Sequence, residues 1–438
     1  MRRILFVSLM AFLSLPLTPQ PLAEAYGPRS VTATGNVVKW TLPIRIDLES
    51  DLDVRGKDVT SLVEEGLSQW SSLSESNISF TEESLGVAVD NENVCCYLFD
   101  SAACPKGPED DGKNPIVIDD DGEVVGKFFG TANRFTTLGF AAVVTFNATT
   151  GEAVKGEAVF NAACLNGVEL SGCGSLSFSD DDFTSFIVHE IGHFLGLNHS
   201  QVNLDEADDS DTSNDDKITT MYPFFIQGNG ANFKTPERDD QVGAAFLYPE
   251  EIFASSNFTL SGTVYDTNGT TEFACANLVA RNTSSSRSRT DAVSFVSGQL
   301  CPDNKFDASC DGNYEIQGLS PSETYNLTVE PISTDFRNSS GIPPCEGSSE
   351  QPTFTTETRS SAISSAAGQS VTGANFTLAG TSGNVNSLVL PSLDFAGPAG
   401  LDPLLGDEVM ELEAKTQTDS CSSDGSSASS SGGCSLIR

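Results

Sequence analysis

The chain has 438 residues, a hydrophobic fraction of 38% and a formal net charge of −38. That length leaves room for two or three domains, and the apolar content suffices for a buried core, which excludes a wholly disordered chain. The charge argues against nucleic acid and anionic lipid as partners, since both repel an acidic protein; it is compatible with salty surroundings or calcium binding, and a heavily solvated surface is the plainer reading.

The first 25 residues read as an export signal. Arg2 and Arg3 precede an apolar run, Ile4 to Leu17, and Ala23-Glu24-Ala25 offers small residues at the cleavage spacing, so that Tyr26 would begin the mature chain. No other stretch is long and apolar enough to span a bilayer. Eleven cysteines fit an oxidising compartment. Cys164 and Cys173 bracket a short loop suited to a disulfide. Cys95, Cys96 and Cys104 supply another, Cys275, Cys301, Cys310 and Cys345 form a later even set, and Cys421 and Cys434 lie in the tail. Spacing does not set the connectivity, and the odd total leaves one thiol over. The expected location is secreted or extracellular, with cell-surface association left open.

Residues 26–250 read as one α+β domain. Ile44, Ile46 and Leu48 alternate with Arg45 and Asp47, the period of a half-buried strand. Val59, Leu62, Val63, Leu67 and Trp70 line one face of a helix. Further strands are expected at Ile116–Ile118, Gly139–Phe146 and Glu157–Asn161. A last helix is expected to start near Thr235 as N-cap, with Pro236 in its first turn, and to stop before Pro249.

Between them stands HEIGHFLGLNHS, residues 189–200, which holds all 3 histidines of the chain. Ser179 and Asp182 have the spacing of a capping box, and Val188, Ile191 and Leu195 share a face. His189 and His193 then lie one helical turn apart, able to share a cation. Gly196 can end the helix in a left-handed conformation, letting His199 approach the same ion from another direction. Three neutral imidazoles with one open position are the pattern of catalytic zinc, and Glu190 is placed to shuttle a proton from a water to a leaving amine.

His189, Glu190, His193, Gly196 and His199 meet the full HExxHxxGxxH motif, and the chain here resembles the metzincin metallopeptidases. It is similar in particular to their matrixin branch. ITTMYPFF carries Met221-Tyr222-Pro223 like that branch's Met-turn. PERDDQVGAAFLYP resembles its closing helix, with Asp239, Asp240, Gly243, Leu247 and Tyr248 in order. VVKWTLPIRIDL…GLSQW resembles its first strand and helix. The resemblance covers most of residues 35–250. It implies a twisted, mostly parallel five-stranded sheet with three helices, above a cleft with zinc on its floor. Met221 would lie beneath the zinc, and Pro223 and the residues after it would line the pocket for the side chain just past the scissile bond. A protein or peptide substrate would lie extended and antiparallel to an edge strand, taken as Leu138 to Val143. The chain departs from the branch in having no cysteine between the expected cleavage site and Trp40, so its thiol latency device is missing. Tyr222 directly follows Met221 and is not read as the extra tyrosine ligand of other metzincins.

Two acidic stretches are candidates for calcium. LDEADDSDTSNDD, residues 204–216, reads as a solvated acidic loop that could also border the cleft through Asp208, Asp209 and Asp211. DDDGE, with Asp119 and Asp121, reads equally as a plain turn through Gly122.

Residues 255–380 alternate apolar and polar residues between turns, the pattern of an antiparallel sandwich. Asp311, Gly312, Tyr314, Gly318, Leu319, Pro321 and Tyr325 resemble the carboxypeptidase-regulatory-like β-sandwich. No catalytic constellation is visible there, and a structural, binding or anchoring role is expected. Asn77, Asn147, Asn257 and Asn326 head glycosylation sequons. Residues 381–438 are a low-complexity Ser/Gly-rich tail expected to be disordered.

The fold class expected is therefore α+β, a metzincin-like domain followed by an all-β sandwich and a tail. The function expected is that of a monomeric exported zinc endopeptidase, with His189, His193 and His199 on zinc and Glu190 as general base. The alternative is a secreted adhesion or binding protein that keeps the zinc domain as a scaffold; retention of Glu190, which a scaffold does not need, speaks against it.

Overall fold

The computed structural model describes residues 27–49, 52–98, 112–207, 213–222, 225–226, 228–302, 310–332 and 354–380. The export signal, Cys104, Asp208, Asp209, Asp211, Pro223, Cys345 and the tail lie outside the described residues. The fold is α+β: a five-stranded, mostly parallel sheet with helices, followed by further sheets that are largely antiparallel.

The first half runs β1 (Ile44–Leu48), a hairpin of β2 (Asp53–Val54) and β3 (Lys57–Asp58), α1 (Thr60–Ser71), β4 (Phe80–Ser84), β5 (Pro115–Asp119), α2 (Glu123–Phe129), β6 (Gly139–Phe146) and β7 (Ala153–Asn161). Then come α3 (Asp180–Leu195), two four-residue turns of helix, α4 (Leu204–Ala207) and α5 (Gly230–Phe233), and α6 (Arg238–Leu247). The sheet order is β4-β1-β5-β7-β6, with β6 alone antiparallel to its neighbour. Ile116, Ile118, Ala158 and Phe160 pack on one side with α1 and α3, while Val117, Val159 and Phe140 meet Val124 on the other. Burial on both faces is why residues 115–118 are apolar without alternation. β4 gave no sequence signal, because its residues Thr81–Ser84 are exposed at the sheet edge.

α1 buries the apolar face read from the sequence, with Trp70 fully enclosed and its indole N–H donating to the Val188 carbonyl at 2.8 Å. α6 starts later than expected. Its N-cap is Glu237, not Thr235, because Glu237 and Asp240 form the capping box themselves.

After α7 (Phe253–Ser256) come β8 (Phe258–Tyr265), β9 (Ala276–Asn282), β10 (Ala292–Val296), β11 (Asn313–Leu319), β12 (Tyr325–Pro331) and the short β13 (Glu357–Thr358), β14 (Ser370–Val371) and β15 (Phe376–Thr377). They form sheets β10-β9-β12-β13 and β11-β8-β14, and only the short β14 and β15 pair in parallel, both with β8. Tyr314 and Tyr325 of the sandwich motif are buried in the core between the sheets, and the Tyr325 hydroxyl donates to Asp291 at 2.9 Å. That core also takes in Val242 and Ala245 of α6, whose Ala244 and Leu247 belong to the core of the first domain. One helix thus serves two cores, and the sandwich is docked directly on the half that carries the histidines. Disulfides join Cys164 to Cys173 and Cys301 to Cys310. Among the described residues no helix is long and apolar enough to cross a membrane.

Candidate metal centre

α3 is built to hold its end rigid. Ser179 and Asp182 form the capping box at its start, and the second oxygen of Asp182 accepts the N–H groups of Gly228 and Gly230 at 3.1 and 3.0 Å. At its end the carbonyls that lack helical partners are taken up one by one. The Trp40 indole donates to Phe194 and the Tyr248 hydroxyl to Leu195, both at 2.6 Å, and the Arg29 N–H donates to Gly196 at 2.8 Å. Gly196 turns the chain at φ 99°, and a Cβ there would meet the Val38 carbonyl at 3.0 Å. Burial pushes the Tyr248 hydroxyl well above the usual tyrosine range, against the opposing Trp40 N–H that it accepts, so it stays protonated as a donor.

His189 and His193 project from one face of this helix, and the turn at Gly196 brings His199 back beside them. One ring nitrogen from each lies within 4.8 Å of the others, and no other such group of three His, Cys, Asp or Glu occurs among the described residues. The Nδ1 of His189 lies 2.7 Å from the Thr220 carbonyl and that of His193 lies 2.9 Å from the Leu197 carbonyl. A carbonyl can only accept, so both Nδ1 atoms carry hydrogen, and each neutral ring offers the lone pair of Nε2. The Nε2 atoms of His193 and His199 are 3.0 Å apart. Two ligand nitrogens on one tetrahedral first-row ion stand about 3.3 Å apart, so the donor set fits a shared metal ion. His193 and His199 are buried and His189 half-buried.

Glu190 is 5% exposed and faces the start of β6: a Cβ on Gly139 would lie 3.4 Å from its Cγ and 3.7 Å from its Oε1. β6 contains most of the stretch taken for the substrate-binding strand, Leu138 to Val143, and stands at the sheet edge. Met221 is fully buried against α3, where a Cβ on Gly192 would meet its sulfur at 2.3 Å. The carboxylate of Asp240 holds the turn that carries it, accepting the N–H of Thr220 at 2.8 Å and of Met221 at 3.1 Å. Thr220 is also the residue whose carbonyl orients His189. The sequence showed Asp240 only as part of a family string and gave no sign of Gly192; the signal for Gly192 is its place inside a helix, where glycine costs stability without a packing reason.

The calcium candidates come out differently. Asp119 is buried, and its Oδ2 accepts the Val125 N–H at 2.8 Å at the start of α2. Burial pushes its carboxyl up to about 7. Asp121 accepts the Glu123 N–H at 2.8 Å and pairs with Arg134 at 3.2 Å. These carboxylates take up N–H groups of the first turn of a helix and hold an arginine, and among the described residues they form no cluster of three metal-ligating groups. In the acidic stretch after His199, the exposed Asp205 and the buried Glu206 pair with Arg289 of the sandwich, so at that point the stretch also meets the sandwich.

Comparison with protein-family models and with curated proteins finds no match to this chain. The five-stranded, mostly parallel sheet and the histidine triad are compatible with a metzincin-like fold.

Proposed function

We propose that the chain is an exported zinc endopeptidase of the matrixin branch of the metzincins, cleaving internal peptide bonds of polypeptides held in extended form. The observation that carries this reading is the convergence of three imidazoles, two of them with Nδ1 committed to carbonyls, beside the buried carboxylate of Glu190. A donor set of three neutral nitrogens suits zinc, whereas calcium prefers oxygen. Zinc bound there supplies Lewis acidity, which lowers the pKa of a water and polarises a carbonyl. Glu190 takes the proton of the attacking water and returns it to the leaving amine. β6, an edge strand among the described residues, offers main-chain groups to an extended substrate, which would add to the sheet as one more antiparallel strand. The disulfides Cys164–Cys173 and Cys301–Cys310 accord with export.

The test is internal cleavage of an unfolded protein by the purified chain, with and without a zinc chelator. Cleavage is expected to stop with chelator and return with zinc. Glu190→Ala is expected to keep its zinc and to lose activity by about 10²- to 10⁴-fold. A zinc-loaded Glu190→Ala chain that cleaves as fast as the native one would sink the mechanism. A native chain that binds zinc and cleaves nothing would favour the binding-scaffold reading.

A further inference from the structure

We infer that the β-sandwich is the clamp on the third metal ligand, with Ser294 and Asp239 as positioning residues; this rests on reading the histidine triad as a metal site. His189 and His193 are fixed by α3, but His199 lies beyond the helix end and needs another anchor. The four residues that follow it, Ser200, Gln201, Val202 and Asn203, are 4%, 5%, 1% and 1% exposed. Polar loop residues are buried to that degree only when something covers and satisfies them.

Gln201, Val202 and Asn203 are held by the sandwich directly, and Ser200 through Asp239 of α6. The Ser200 hydroxyl donates to Asp239 Oδ2 at 2.7 Å, and the same carboxylate accepts the backbone N–H of Ser294 at 2.7 Å and its hydroxyl at 3.0 Å. Gln201 donates to the Glu330 carboxylate at 3.1 Å and to the Pro331 carbonyl at 3.2 Å. Val202 packs in a small cluster with Val279 and Ala292. Asn203 donates to the Arg289 carbonyl at 3.2 Å and accepts from the Arg281 guanidinium. The sandwich also reaches the ligand: a small cavity between the halves is lined by His199 and Ser200 on one side and by Phe295 and Gln299 on the other. The Ser200 N–H donates to the Met221 carbonyl at 2.9 Å, so the clamp ties the loop of His199 to the turn beneath the triad.

A ligand held this way contributes to metal affinity only while its anchor is in place, because an unanchored loop must be ordered at the moment of binding. The experiment is zinc competition against a chromophoric chelator on the full chain carrying Ser294→Ala together with Gln201→Ala. The dissociation constant for zinc is expected to rise by about 10-fold, the low end for partners that orient ligands. The visible band of the cobalt-loaded variant is expected to change with the altered coordination, while unfolding of the metal-free chain shifts little. Ser294→Thr, which keeps the hydroxyl, is expected to retain native affinity. Where the double variant does not fold, Gln201→Ala alone is held to the same criterion. A folded variant with native zinc affinity and an unchanged cobalt spectrum would overturn the inference and leave the peptidase reading standing. A native chain that binds no zinc would overturn both.

Discussion

The two halves of the candidate metal centre are made by different means. His189 and His193 sit one turn apart on α3, so the periodicity of a helix aligns them, and capping at Ser179 and Asp182 is local to the same segment. His199 and Met221 lie on irregular chain, fixed by groups far away in sequence: Asp239, Asp240 and the sandwich residues Ser294, Arg281 and Glu330. The backbone of the locally built half should tolerate changes elsewhere in the molecule, while the His189 ring still depends on the Thr220 carbonyl. A docked half should fail whenever its distant support is removed, even if no ligand is touched.

The strongest way to break the docked half is Asp240→Ala. Asp240 is wholly buried, and its carboxylate accepts the N–H groups of Thr220, Met221 and Glu237. Removing it leaves those donors unsatisfied in the interior, at a cost of roughly 3–5 kcal/mol. The Thr220 carbonyl that orients His189 is freed with them. Denaturant unfolding of the metal-free chain should show the loss in stability, and the variant should hold less than one zinc per chain after dialysis. A loss below about 1 kcal/mol would mean that the turn is held by other contacts.

The locally built half is probed by Gly192→Ala. A Cβ at this position would stand 2.3 Å from the Met221 sulfur and 3.1 Å from Cζ2 of Trp70. Met221 can move, but Trp70 is pinned by its hydrogen bond to Val188. Overpacking of this kind costs about 1–3 kcal/mol, and the better helix propensity of alanine offsets up to about 1 kcal/mol of it. A net loss of about 1–2 kcal/mol and weaker zinc retention are expected, read by the same two assays. Gly192→Ala with full stability and full retention would show that Met221 is not held against the ligand helix.

The same division explains what could be read from the sequence. The α3 helix, its cap, the turn at Gly196 and the three histidines were legible because each is encoded by spacing within one segment. β1 and α1 were legible from their periodicity, and β5, β6 and β7 were expected as strands near where they lie. The start of α6 was misjudged because Thr235-Pro236 carries the stronger local signal, while the deciding pair, Glu237 and Asp240, also serves the turn at Thr220. The segment after His199 gave no sign of an interface: residues 204–216 read as a solvated acidic loop, because Asp, Glu, Ser and Asn are ordinary surface residues. Only the contacts of Gln201 with Glu330 and of Asp205 with Arg289 reveal that it is an interface, and no local pattern encodes partners so distant.

Asp119 offers a control, since it is a buried acid engaged entirely within its own turn. The folded chain keeps this carboxyl protonated up to about 7, whereas the unfolded chain releases the proton near the ordinary value of 3.8. Between those values the folded state binds more protons, so stability that is present at low pH is lost as pH rises through about 7. Asparagine keeps an oxygen for the Val125 N–H but has no proton to lose. Asp119→Asn should therefore become progressively more stable than the native chain as pH rises, by about 1–2 kcal/mol between about pH 5 and about pH 8. Urea titrations of the two metal-free chains across that range measure the difference directly. Because Asp119 lies on neither half of the metal centre, zinc affinity should not change. A pH-independent difference would mean that Asp119 ionises normally where it is buried, and a fall in zinc affinity would mean that the two halves are coupled through the sheet.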